Sequence, residues 1–271
     1  MNRIIDILIS CGAANAAFLK YEDCEIINRR IADKLEFVPH SIIIATLPYY
    51  TKYCDAPRTV SAYALAYDYH IHMKNIASEA INKAKQLFPE ASFAYFGDHS
   101  PINERDAAAK AGLGIIGKHG LLITPNHSSY VFLFEIITDI ICDVESQNIS
   151  HCISCNKCLK ACPGYLSSQC DCLSNVTQKK KDLLQEEIDM IFQRGSAWGC
   201  DICQEVCPYT IEAKEKGTLY TDSEWFNNNI CTTPTLSTVA NDTDFSMRAY
   251  SWRGKDTILR NIKILNGNNH D

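Results

Sequence analysis

The stretch Cys152-Ile-Ser-Cys155-Asn-Lys-Cys158-Leu-Lys-Ala-Cys162-Pro163 decides how this chain folds, and Cys200-Asp-Ile-Cys203-Gln-Glu-Val-Cys207-Pro208 repeats its ending. Thiolates spaced C-x₂-C-x₂-C-x₃-C-P can wrap a cubane of iron and sulfide, and a closing Cys-Pro is the usual end of a bacterial ferredoxin run. Pairs of the form Cys-x-x-Cys also build zinc ribbons. Zinc takes four ligands per site, however, and has no use for the longer run. Electron transfer through iron–sulfur clusters is therefore the expectation.

In a two-cluster ferredoxin, three cysteines of a run hold one cluster and the fourth crosses to the other. Applied here, Cys152, Cys155 and Cys158 hold a first cluster and Cys162 crosses to a second. By the same logic Cys200 and Cys203 hold the second cluster and Cys207 crosses back to the first. The second cluster is then one ligand short, and Cys170 and Cys172, between the runs, are both suitably placed to supply it. Cys11, Cys24, Cys54, Cys142 and Cys231 have no ligand spacing and are expected to serve as small buried hydrophobes.

The 271 residues suffice for one large domain or two modest ones, and 46% apolar with 21% charged residues is an ordinary globular composition. No apolar stretch reaches the roughly 18 residues of a membrane span. Met1 to Ile9 carries Asp6 within its apolar run and no small-residue cleavage signal, so no export signal is expected. Fourteen cysteines without an export signal point to thiols that ligate metal in a reducing, cytoplasmic compartment rather than to disulfides. A net charge of −6 gives no support to duplex-DNA binding.

Composition divides the chain into 1–141, mixed α and β; 142–215, cysteine-rich and polar; and a tail, 216–271. Ser41 to Leu47, Phe93 to Phe96, Leu121 to Thr124 and Tyr130 to Thr138 are expected strands. Helices are expected over 61–87, 101–111, 179–194 and 251–265, with Gly112 in the left-handed position that ends the second. Gly112-x-Gly114-x-x-Gly117 spells the dinucleotide fingerprint, but a helix precedes it and a strand follows, the reverse of what that motif needs. Its glycines are better suited to letting the backbone approach something flat and bulky, with Lys118 at the end. Asp98 sits between a strand end and a helix start, where it is either a capping residue or a proton donor at the mouth of a pocket.

Asp98-His-Ser-Pro-Ile-Asn-Glu-Arg105, Ala111-Gly-Leu-Gly-Ile-Ile-Gly-Lys118 and Gly199-Cys-Asp-Ile-Cys-Gln-Glu-Val-Cys-Pro208 resemble the motifs of epoxyqueuosine reductase. Ser61-Ala-Tyr-Ala-Leu-Ala-Tyr-Asp-Tyr-His70 does so more loosely, and the resemblance keeps the family's order over residues 40–265. It implies an α+β protein, with a nitroreductase-like cobalamin-binding domain followed by a ferredoxin-like double-cluster domain. It implies an oxidoreductase of queuosine biosynthesis and tRNA processing. Such an enzyme uses two 4Fe–4S clusters and cobalamin to remove the epoxide oxygen of epoxyqueuosine in tRNA.

The same resemblance makes Asp98 the catalytic proton donor and, because Cys172-Leu-Ser174 matches a Cys-x-Ser segment, favours Cys172 as the fourth ligand of the second cluster. It places Tyr63, Lys118, Ile123, Ser174, Cys200 and Asp201 against cobalamin. The implied partners are tRNA and an external electron donor such as a flavodoxin or ferredoxin, with no membrane and no DNA. Whether cobalt attacks carbon or accepts a substrate radical stays open. Departures are Leu65 and Tyr67 in place of arginines, His119 in place of an asparagine, and Cys162-Pro-Gly-Tyr165 and Cys207-Pro-Tyr-Thr210 after the runs. Leu259-Arg-Asn261 begins a segment that in the family leads into C-terminal helical repeats, and the chain is expected to be a short form lacking them. Two other readings keep the cysteine chemistry: a cobalamin and iron–sulfur reductase of a small organic substrate, and a corrin-free two-cluster electron-transfer protein.

Overall fold

The structure, a computed structural model, describes residues 2–166 and 171–267. The chain forms two compact units, Met1–Pro48 with His70–Ser154, and Tyr49–Tyr69 with Cys155–Asp271. These boundaries differ from the ones that composition suggests. Residues 49–69 and the tail both belong to the unit that carries most of the cysteines, because their partners are there.

The first unit is built from α1 (Asn2–Ser10), β1 (Asn15–Lys20), α2 (Arg29–Ala32), β2 (Ser41–Pro48), α3 (Tyr69–Leu87, from His70 onward), β3 (Phe93–Phe96), α4 (Glu104–Lys110), β4 (Ile115–Ile116), β5 (Leu122–Ile123) and β6 (Val131–Thr138). Four strands make an antiparallel sheet in the order β1-β2-β6-β3. The β-branched run Ile42-Ile43-Ile44 lies in its interior, and every residue of β2 is buried. Ile42, Ile44 and Ile137 pack with Ala107 and Ala108 of α4, whose small side chains let the helix sit close on the sheet. Met73, Ile76, Ala77, Ala80 and Ala84, at helical spacing, form the buried stripe of α3.

α3 begins at Tyr69, not at Ser61. The apolar spacing through residues 61–68 suggests a helix, but its backbone groups are engaged elsewhere. Ser61 N–H donates to the Trp198 carbonyl and Ala197 N–H to the Thr59 carbonyl, so Val60 and Trp198 form a parallel bridge within the second unit. Only one 3₁₀ turn, Ala62–Ala64, forms there.

The second unit continues with α5 (Lys157–Ala161), α6 (Pro163–Leu166), α7 (Leu173–Thr177), α8 (Gln185–Arg194), α9 (Ile202–Glu205), α10 (Pro208–Glu215), α11 (Glu224–Asn227), α12 (Leu236–Asn241) and α13 (Lys255–Leu265). The helix expected over 179–194 starts only at Gln185, because Lys179 reaches forward to the buried carboxylate of Glu187, and Glu187 accepts the Leu184 N–H. α7, α8 and α13 share a small core of Leu173, Val176, Met190, Ile191 and Ile264. Asn261 of α13 is fully buried and donates to the carbonyls of Thr177 (2.7 Å) and Ala197 (2.8 Å). Arg260 donates to the Lys179 carbonyl at 2.7 Å. The Arg260-Asn261 pair thus ties the tail to the segments that flank the cysteines. Cys54 and Cys142 are buried, as expected of small hydrophobes, whereas Cys11, Cys24 and Cys231 are half-buried. Among the described residues no helix is long and apolar enough to cross a membrane.

Replacing Asn261 with Ala strands two buried carbonyls without a donor. Each such group costs about 1–3 kcal/mol, so the thermal unfolding midpoint should fall clearly while the helix content before unfolding stays unchanged. Circular dichroism checks both.

Candidate functional site

The first part of the candidate site lies in the first unit, at the end of β3. The strand stops at Phe96, paired with Glu135 of β6, and Asp98 follows with φ +59°, in the left-handed region that costs a non-glycine residue energy. His70, in the first turn of α3, places Nε2 3.0 Å from Asp98 Oδ2. Both side chains are about half exposed, at 45% and 52%. Asp98 is not a helix cap. That place is taken by Asn103, whose side chain accepts the Asp106 N–H at the start of α4. A strained, half-exposed carboxyl held by an imidazole is a group placed to exchange a proton with something outside the fold.

The glycine-rich segment packs against its own surroundings. Gly112 ends α4 with φ +81° and faces the Gln147 side chain. A side chain at Gly114 would collide with the backbone carbonyl of Ile123, and one at Gly117 with the ring of His119. The flat neighbours that these glycines admit are therefore a hairpin strand and an imidazole, with β4 and β5 pairing Ile115 to Ile123. Ile123 is buried at 3% exposure, and Lys118 is exposed. The backbone N–H of Lys118 donates to Cys152 Sγ at 3.2 Å, and Cys152 N–H donates to the Ile116 carbonyl at 3.0 Å. Amide donors of this kind settle negative charge on a thiolate.

The remaining cysteines lie in the second unit. Helices α5 and α9 are neighbours, which brings the stretch carrying Cys158 beside the one carrying Cys203. Burial pushes the Cys203 thiol up to about 12, and Cys200, Cys172 and Cys162 add to the rise. Cys200 is pushed up to about 12 by burial, with the Ile202 N–H working against it and Asp201, Cys172 and Cys162 reinforcing it. The four thiols Cys162, Cys172, Cys200 and Cys203 thus lie within electrostatic reach of one another. Cys200 and Cys203 can ionise in these surroundings only beside a strong positive charge, so this donor set fits an iron cluster. Among the described residues no group of three His, Cys, Asp or Glu side chains is arranged to hold a single metal ion, and a cubane spreads its thiolates over four irons. Cys155 is exposed, and Cys158 and Cys207 are buried. Cys170, the alternative supplier to Cys172, lies outside the described residues.

Tyr63 and Ser174 are joined by a residue that spacing did not single out. Gln178 Nε2 donates to Ser174 Oγ at 3.2 Å and to Tyr63 Oη at 3.4 Å. Gly199, at φ +71°, lies so close to Ser61 and Tyr63 that any side chain there would collide. The Asp201 carboxylate is 5% exposed and already engaged. It accepts from Ala62 N–H at 2.7 Å, Ser61 Oγ at 2.5 Å, Arg58 Nη2 at 3.1 Å and Gln204 Nε2 at 3.4 Å. Its work is to hold residues 58–62 in place. A cavity of about 390 Å³ opens beside Cys200 and Asp201, lined also by Arg58, Ser61, Leu173 and Glu205. A larger one, of about 560 Å³, lies in the first unit, lined by residues from Ile31 to Phe96.

His70 and Gln178 are the two participants that sequence reasoning missed. No spacing links His70 to Asp98, 28 positions on, or Gln178 to Tyr63, so only a folded chain could show them.

Known proteins resemble this chain in sequence and in fold. Residues 151–210 match the family model described as "4Fe-4S double cluster binding domain". The chain is 33% identical over 239 residues to an epoxyqueuosine reductase of Synechocystis sp., covering 82% of this chain and 78% of that protein. Its fold is similar to that of the epoxyqueuosine reductase of Streptococcus thermophilus, with a TM-score of 0.79 at 24% identity over 100% of this chain and 81% of that one. It is also similar to an epoxyqueuosine reductase solved with an epoxyqueuosine-modified tRNA-Tyr stem loop, with a TM-score of 0.78 at 24% identity over 98% and 80% of the two chains.

Substituting Ser for Cys172 should halve the iron bound per chain, since one of two clusters loses a ligand, whereas Cys170→Ser should leave iron unchanged. Iron and sulfide analysis after anaerobic purification distinguishes Cys172 from Cys170 as the ligand.

Proposed function

The chain belongs to the epoxyqueuosine reductase family, and from that premise we propose that it converts epoxyqueuosine in tRNA to queuosine. As a member of that family it is an oxidoreductase with two 4Fe–4S clusters and cobalamin as cofactors. The proposed ligands are Cys152, Cys155, Cys158 and Cys207 for the first cluster, and Cys162, Cys172, Cys200 and Cys203 for the second. The mutual proximity of Cys162, Cys172, Cys200 and Cys203 supports the second set.

The observation that carries the catalytic proposal is the His70–Asp98 pair. Deoxygenating an epoxide to an alkene breaks two C–O bonds, forms one C=C bond and releases the oxygen as water. It consumes two electrons and two protons. The clusters and cobalamin supply the electrons when bound, loaded in turn by an external donor such as a flavodoxin or ferredoxin. The protein must supply a proton where the oxygen departs. The His70–Asp98 pair is placed to hand on a proton at a half-exposed position, and the 3.0 Å contact from Nε2 orients Oδ2.

Among the proposed cobalamin contacts, Tyr63 and Ser174 present hydroxyls linked through Gln178, and Cys200 follows the turn that Gly199 makes possible. Asp201 serves this set by fixing residues 58–62 rather than by offering its own carboxylate. Lys118 contributes a backbone N–H to Cys152. The relative bound to a tRNA stem loop makes tRNA the substrate carrier to test first.

Anaerobic turnover of an epoxyqueuosine-containing stem loop, with a chemical reductant, tests the reading. Queuosine formed in the stem loop supports it. Reduction of the free nucleoside alone would point to a small organic substrate instead. Asp98→Asn should lower turnover by about 10²–10⁴-fold, the usual contribution of a positioned general acid, while cluster and corrin absorbance stay as in the parent. Undiminished turnover would remove Asp98 from the proposed role.

A further inference from the structure

The glycine-rich segment and the first cysteine of the longer run are zipped together. Ile116 N–H donates to the Ser150 carbonyl at 2.9 Å, and Cys152 N–H donates to the Ile116 carbonyl at 3.0 Å. Ile116 and His151 thereby form a parallel bridge. The zip ends on a sulfur, where Lys118 N–H donates to Cys152 Sγ at 3.2 Å. All of these residues lie within the first unit.

The aim of that last N–H is built into the backbone. Gly120 N–H donates to the Gly117 carbonyl at 2.8 Å, which closes a β-turn with Lys118 and His119 at its central positions. Gly117 N–H donates to the Leu121 carbonyl at 2.9 Å and ties the turn to its hairpin. A side chain at Gly117 would strike the His119 ring, so the turn closes in this form only with glycine there. The Lys118 side chain is exposed, and what meets Cys152 is its amide.

An N–H dipole aimed at a thiolate favours negative charge on it. Reduction gives an iron–sulfur cluster one more negative charge, which its thiolates share. The bond therefore strengthens on reduction and favours the reduced state. Hydrogen bonds to the sulfurs are among the factors that set cluster potentials.

We propose that the glycine-rich segment is a cradle for the first cluster, in which the Lys118 amide raises that cluster's reduction potential through Cys152. The proposal rests on the ligand role proposed for Cys152. Lys118 is a positioning residue here, since it acts on the cluster only through that sulfur. The step it favours is a one-electron reduction: the external donor loses one electron, the cluster gains it, and no covalent bond forms or breaks. A raised potential lets a weaker donor load the first cluster. The proposed ligands of the second cluster, Cys162, Cys172, Cys200 and Cys203, lie outside the segment, so that potential is set independently.

Lys118→Pro removes the N–H with little else, because proline suits the first central position of a β-turn. Anaerobic redox titration of the cluster-loaded chain, followed by electron paramagnetic resonance, reads both clusters. In Lys118→Pro one midpoint should fall by about 59 mV, a tenfold shift in a one-electron couple, while the other stays. Lys118→Ala keeps the N–H and loses the side chain, and should match the parent at both midpoints. Unchanged midpoints in Lys118→Pro, or the same fall in Lys118→Ala, overturn the cradle.

A second measurement serves if Lys118→Pro does not load its clusters. In the parent grown with heavy-nitrogen lysine, pulsed resonance on the reduced clusters should show a nitrogen coupling. Lys118→Arg keeps the N–H but carries no label there, and should lose that coupling. Identical spectra overturn the cradle as well, and so does full iron content in Cys152→Ser, which removes the ligand it rests on. Neither titration nor spectrum needs epoxyqueuosine, so a chain that shows both effects but no turnover counts against the proposed function and not against the cradle.

Discussion

Four thiols within electrostatic reach of one another are the constraint on which the second unit depends. Burial, with Cys162 and Cys172 adding to it, pushes the Cys200 and Cys203 thiols up, so these two are stable as thiolates only around compensating positive charge. A site of that kind tolerates little movement, because each sulfur must meet its own corner of a cluster. The unit supplies the rigidity from outside the cysteine runs. Asn261 of α13 joins the Thr177 and Ala197 carbonyls, and Asp201 gathers Arg58, Ser61 and Ala62. Residues distant in sequence thereby hold the two short stretches that flank Cys200 and Cys172.

The first unit solves a different problem. Electrons can cross a gap, but a proton is handed over only at contact, so its donor must reach out of the fold and still keep a defined position. Asp98 meets both demands at a cost. Its backbone is held in the left-handed region, and His70 takes one side-chain oxygen. The core beneath β6 gives up an apolar position to Glu135 for the same end, since Glu135 accepts the Ser100 Oγ–H of that loop. Burying a carboxyl among isoleucines is costly, and it is understandable only as part of the loop's support.

Much of the fold was legible in local pattern. The β-branched run at Ser41 to Leu47, the strands at Phe93 and Tyr130 and the glycine stop at Gly112 all stand where the sequence placed them. The misreadings share one cause. Residues 61–68 carry helical spacing but spend their donors on Trp198 and Asp201, and 179–184 lie outside α8 because Lys179 and Leu184 turn to Glu187. The glycines of residues 112–117 do open space for close approach, yet the neighbour is the chain's own hairpin. In each case a distant partner outcompeted a local preference.

By itself the sequence determined the chemistry: seven thiols at ferredoxin spacing, one aspartate between a strand and a helix, and an ordered set of motifs that name a family. Ligand spacing is covalent, a matter of how many peptide units separate two sulfurs, and so survives without a fold. Only the tertiary structure decided which groups act together. The pairing of His70 with Asp98, the link from Tyr63 through Gln178 to Ser174, and the bond from Ser100 to Glu135 join residues that no periodicity relates. Those contacts depend on how sheet and helices pack, and packing is settled by the whole chain at once.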